Sequence, residues 1–225
     1  MKPKEIILHG SGRKAVAFAV ARRAAMRLAV VAIAVGLLVG CGQPAADPAS
    51  ESNPRNEVDE QVALERSRKA ADALGAELMS TMAAEMARGG PAAAIVVCSE
   101  VAQSIANEHS QDGLAVRRVT LKARNSLNQP DAYERAALER LQSLHDRGEL
   151  PTEIFEVVEH DGSRVLRYIR PIQTAELCLA CHGDANALAP EVRQVILERY
   201  PNDAATGYSA GQLRGAISVQ TRLQP

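Results

Sequence analysis

Five consecutive residues, Cys178-Leu179-Ala180-Cys181-His182, constrain this chain more than any other feature of its sequence. Two cysteines three apart, followed at once by a histidine, form the spacing used to attach c-type haem. Two thiols can add to the two vinyl groups of one porphyrin, and the adjacent histidine can reach the iron. Two other uses of this spacing remain open. A redox-active Cys-x-x-Cys sits after a strand in a βαβ setting, often behind a tryptophan, and this chain has Trp 0. A structural zinc site needs four ligands, usually a second Cys/His pair, and the sequence offers none.

The N-terminal region bears on the same question, because haem of this type is attached outside the bacterial cytoplasm. Leu28–Gly40 is an apolar run that ends at Cys41, behind the positive flank Arg22, Arg23 and Arg27. As a helix it would span roughly 20 Å, short of a bilayer's hydrocarbon core, so it reads as a signal peptide. Leu38-Val39-Gly40-Cys41 has the form of a lipobox, with Cys41 lipidated and becoming the mature N-terminus. Acyl chains contribute about 0.8 kcal/mol per buried methylene, and two or more hold a protein on a membrane. Gly42 rather than Asp after Cys41 resembles the outer-membrane pattern of enterobacterial sorting, and Met26 is a second candidate start. The expected location is the periplasmic face, anchored through Cys41.

Charge excludes another class of partner. The formal net charge is -1, but residues 1–40 hold seven of the 26 basic residues and one of the 27 acidic ones. The remainder carries about -7. A mildly acidic body with 3% aromatics has neither the basic face nor the stacking platforms of a nucleic-acid binder.

The chain divides into a signal segment (1–40), a Pro/Ala/Ser-rich tether (41–56) and one domain (57–225). The pattern predicts a long helix from Glu57 to about Arg88, stopped by Gly89-Gly90-Pro91. Met79, Met82 and Met86 continue the spacing of Leu74 and Leu78, so they read as core packing rather than a copper site. A short strand is expected at Ala94–Val97, a helix from about Glu100 to His109, and a strand at Ala115–Thr120. Asp131 and Glu134 form the signature of a capping box for a helix to about His145. Asp161-Gly162 between Glu153–Val158 and Arg164–Ile172 signals a hairpin. A helix over Pro190–Arg199 and a strand over Arg214–Thr221 complete an α+β domain, an antiparallel sheet covered by helices.

Several blocks resemble a bacterial family of c-type-haem, PAS-like sensor-type domains, the Tll-type haem c domains. They are Ala94-Ile95-Val96-Val97-Cys98-Ser99, Thr120–Asn125 with Asn128–Asp131, Arg167–Ile172, Cys178–Gly183, Tyr200–Ala204 with Gly207-Tyr208, and Arg214–Val219. Arg118-Val119 and Ser126 depart from the pattern, which carries Arg-Thr and Pro there. The resemblance implies a PAS/Cache-like antiparallel sheet with a long N-terminal helix and flanking helices, and one haem c with its iron per domain. It also implies a sensing role, with signals passing to a separate periplasmic signalling or redox partner. The alternative is a periplasmic electron-transfer cytochrome c.

With Cys41 given to lipid and Cys178 and Cys181 to haem, Cys98 is left over, at a strand-to-helix junction where a helix dipole would favour thiolate. The residues alone leave two readings: an iron ligand, or a small buried hydrophobe with Met79, Met82 or Met86 on the iron instead. The resemblance implies Cys98 as the axial ligand opposite His182. No distal acid/base constellation speaks for a haem enzyme: His109, His145 and His160 sit in polar stretches and read as surface residues. Lys122, Arg124, Arg167 and Arg214 are candidates for pairing with haem propionates, or equally for carbonyl capping and surface ion pairs.

Overall fold

The computed structural model describes residues 54–223. The signal segment, Cys41 and the tether as far as Asn53 lie outside the described residues. Four antiparallel strands, β1 (Leu114–Val119), β2 (Ile154–His160), β3 (Ser163–Gln173) and β4 (Leu213–Arg222), form one sheet in the order β1-β4-β3-β2. Helix α1 (Pro54–Glu108) is long and N-terminal; α2 (Ala132–Asp146), a single turn α3 (Leu179–His182) and α4 (Pro190–Arg199) follow. The α+β expectation is therefore met, with a four-stranded antiparallel sheet, a long first helix and flanking helices.

Local signals account for much of this. Asp161 (φ 50) and Gly162 (φ 69) both take left-handed backbone, as a two-residue hairpin turn of the I′ type requires, and register follows from His160 pairing with Ser163. Asp131 accepts from the Glu134 N–H at 2.7 Å while Glu134 Oε2 accepts from the Asp131 N–H at 2.9 Å, completing the capping box of α2.

The two faces of the sheet are covered separately. Alternation sends Val116, Leu166, Tyr168, Ile217 and Val219 towards α1, where Leu64, Ala71 and Leu74 complete a core. Val119, Ile169 and Ala216 face the other way, against Ala137, Leu138 and Leu141 of α2. A fully buried Leu such as Leu74, Leu138 or Leu141 contributes roughly 2 kcal/mol of apolar burial. Ser67 and Thr221, both buried, share a hydroxyl hydrogen bond of 2.7 Å that ties α1 to β4.

Three expectations need correction. Pro54–Asn56, assigned to the tether, already belong to α1. Ala94–Val97 is helical rather than extended. Gly89 and Gly90 leave helical geometry, but Pro91 restarts the helix where its fixed φ is favourable, and three alanines propagate it. The apolar residues then cover α4: Ile95 packs with Leu188, Val192 and Ile196 in a third cluster. The path turns again here, Pro54–Val96 and Cys98–Glu108 lying 85° apart. Finally, the α1 core takes Leu74 and Leu78 but none of the three methionines, and Met79 is 50% exposed.

Candidate functional site

The turn carrying the cysteines is positioned by the exit of β3. Buried Thr174 donates from Oγ1 to Ser209 O at 2.5 Å, and its N–H donates to Gln212 O at 2.9 Å. The chain then passes through a 3-10 turn, Glu176–Cys178, directly into α3. Winding the motif into one helical turn places Cys178, Cys181 and His182 at i, i+3 and i+4, on one side. Gly183 ends it, donating to Leu179 O at 2.9 Å; a Cβ there would stand 2.6 Å from that oxygen. Cys98, Cys178 and Cys181 are all half-buried and free of disulfides.

His182 is held by the segment 203–208. Its Nδ1 lies 2.7 Å from Ala205 O, its carbonyl accepts from the Tyr208 N–H at 2.9 Å, and Gly183 O accepts from the Gly207 N–H at 2.8 Å. A carbonyl can only accept, so Nδ1 carries the proton and the Nε2 lone pair is free to bind a metal. Burial, then the charges of Arg214 and Arg124, push the imidazole down to about 3, so it is neutral at pH 7. The Tyr208 ring stands edge-on to it at 6.3 Å.

Three arginines face this turn. Arg214 donates from Nη1 to Thr120 Oγ1 at 2.9 Å and to Lys122 O at 3.2 Å, while its buried Nε has no partner. Burial pushes its guanidinium down to about 10. Arg124 reaches Asp203 Oδ1 from Nε at 2.9 Å and Cys181 O from Nη2 at 2.7 Å. Arg118 projects from β1 on the same face as Val116; burial lowers its pKa, and Cys98 acts in the opposite direction. Lys122 and Arg214 both lie over the Tyr208 ring, at 5.0 and 5.3 Å.

Burial pushes the Cys98 thiol up, and Arg118 and Arg124 pull against it. Cys98 and Cys178 both act on Cys181, so the three thiols occupy one neighbourhood. Cys98 reaches it on the last segment of α1, at the bend after Val96, rather than from a strand end.

The other candidates fall elsewhere. Arg167 donates to Asp131 Oδ2 at 2.7 Å and stacks over Tyr133 at 4.3 Å, on the α2 side. His109 bonds Glu77 at 2.8 Å, His145 bonds Gly211 O at 2.9 Å, and the His160 side chain is 59% exposed. Among the described residues no three His, Cys, Asp or Glu side chains converge to hold a bare ion. Arg118 and Asp203 enter the sequence reading only through the blocks that carry the resemblance, without a role, and Ala205 not at all; Arg118 carries one further signal, a charge at an inward position of a strand.

The family model described as Tll0287-like matches residues 55–222. The crystal structure of the cyanobacterial heme-protein Tll0287 matches with a TM-score of 0.51 at 26% identity, over 77% of this chain and 100% of that one. No curated protein matches at a comparable level.

Proposed function

The chain belongs to the Tll0287-like family, and from that premise we propose that it binds one c-type haem at the turn Cys178–His182. The observation that carries the reading is the hydrogen bond from His182 Nδ1 to Ala205 O, 2.7 Å, which presents Nε2 as a neutral donor. The donor set fits the group. Cys178 and Cys181 are unpaired thiols one helical turn apart, suited to thioether formation, in which each S–H adds across a vinyl double bond. The orphaned Nε of Arg214 is a buried donor awaiting an anion, as a propionate would supply. Haem bound there would supply a redox-active iron, and His182 and Cys98 are the residues that would hold it.

A sensor acting through a separate partner is favoured over an electron carrier. Thiolate and histidine together would stabilise ferric iron and lower the potential, which would suit a sensor better than a high-potential carrier. The proposed setting is the periplasmic face, with the protein anchored through lipid on Cys41.

Two measurements test this. Matured with a cytochrome c assembly system, the protein is expected to keep its haem stain through denaturing electrophoresis, and Cys178→Ala with Cys181→Ala to lose it. A wild-type band without stain overturns the haem reading. Labelled palmitate is expected to enter the wild type and not Cys41→Ser; equal labelling of the two removes the lipid anchor.

A further inference from the structure

We propose that Asp203 and Arg124 form a positioning clamp for His182, fixing the carbonyl that orients its imidazole and thereby setting how strongly His182 donates to iron. The inference rests on the haem reading above and deepens it.

The clamp is read from a chain of contacts. Arg124 and Asp203 are nearly buried, with side chains 9% and 8% exposed, so they form an ion pair largely withdrawn from water. Such a pair is a poor source of net stability, because desolvating both charges offsets most of their attraction. Its geometry supplies a different role. From one guanidinium, Arg124 holds Asp203 Oδ1 at 2.9 Å and Oδ2 at 3.3 Å, and also the carbonyl of Cys181 at 2.7 Å. It therefore couples the motif turn to the segment that supports the histidine.

Asp203 completes the link. Its Oδ1 accepts from the N–H of Ala205 at 3.1 Å, and the carbonyl of that residue accepts from His182 Nδ1 at 2.7 Å. The Ala204 N–H donates to Ala123 O at 3.1 Å, which adds a second tie beside Arg124. On the far side, Gly207 and Tyr208 are fixed to Gly183 O and His182 O. Ala205 is thus clipped on both flanks, and its carbonyl has little freedom to leave Nδ1. A histidine whose Nδ1–H is held by a fixed acceptor is the more basic ligand at Nε2.

The test uses the full chain matured with haem. In the paramagnetic NMR spectrum of the ferric wild type, the His182 Nδ1 proton is expected to exchange slowly. Asp203→Ala and Arg124→Gln should each speed that exchange at least about fivefold, as loss of one hydrogen bond's protection predicts. Asp203→Ala should also raise the midpoint potential. Arg124→Lys keeps the charge but cannot span Asp203 and Cys181 O together, so it should not restore slow exchange. Asp184→Asn removes a nearby exposed charge outside the clamp, and should leave the exchange rate as in the wild type. Should Asp203→Ala not fold, Asp203→Asn keeps an acceptor for the Ala205 N–H and loses the ion pair; it should give an intermediate rate.

Haem-loaded variants with wild-type exchange and potential, altered only in melting temperature, overturn the clamp and leave the haem reading standing. Equal acceleration by Asp184→Asn overturns it too, as an unspecific charge effect. A wild type that carries no haem removes both together.

Discussion

Replacing Cys98 by alanine is expected to remove the thiolate signature from the absorption and low-temperature EPR spectra of the ferric protein. The midpoint potential should rise on the order of 0.1 V or more, a modest part of the roughly 0.8 V that axial ligands span. Cys98 reaches the site on the stretch of α1 beyond the glycine break, half-buried, with Arg118 and Arg124 acting on its sulfur. Burial keeps the free thiol protonated, whereas coordination to iron would displace that proton, as metals do with thiols. The neighbouring arginines would then face a thiolate, turning a burial penalty into attraction. Of the competing methionines, Met79 is 50% exposed. Spectra and potential unchanged in Cys98→Ala would take this cysteine off the iron.

Gly215→Ala is expected to cost about 3 kcal/mol, enough to lower the melting temperature by roughly 6–12 °C in a domain of this size. Gly215 has φ 155 and pairs with Ile172 beside the register shift between β3 and β4. A Cβ there would overlap Val119 O and stand 3.0 Å from Thr120 Cβ. Both are backbone or strand-end positions that cannot swing aside as a long side chain could. The damage would reach the site, since Arg214 precedes this glycine and Thr120 accepts from Arg214 Nη1. Thermal unfolding followed by circular dichroism provides the check. A melting temperature within 2 °C of the wild type, on the order of half a kcal/mol, would show that the strands part to admit the methyl group.

The sequence announced those parts of the fold that local chemistry decides. Asp161-Gly162 must turn, Asp131 and Glu134 must cap, and Pro190 suits the first turn of the helix it opens. Ala94–Val97, expected as a strand, is helical, because four apolar residues have no period long enough to separate strand from buried helix. Burial against Leu188, Val192 and Ile196 decides it, and those residues lie about 90 positions away. The site divides in the same manner. Spacing marks Cys178, Cys181 and His182, whereas Asp203 is joined to Arg124 only by the fold. Among the cations proposed for propionates, Arg167 is committed to Asp131 and Tyr133, and Arg124 to Asp203 and Cys181 O. Of the four, Arg167 and Arg214 each keep a buried Nε without a partner, and that of Arg214 is the one at this turn.

The support beneath His182 has a consequence for how the protein tolerates change. The acceptor at Nδ1 is a main-chain oxygen, and the residue that owns it is already alanine. Truncating Ala205 itself therefore cannot probe this contact, and side chains of the loop other than Asp203 can drift without touching it. Loop length is its second point of vulnerability: one residue gained or lost between Asp203 and Ala205 is expected to carry the oxygen away from Nδ1 while every motif residue stays in place.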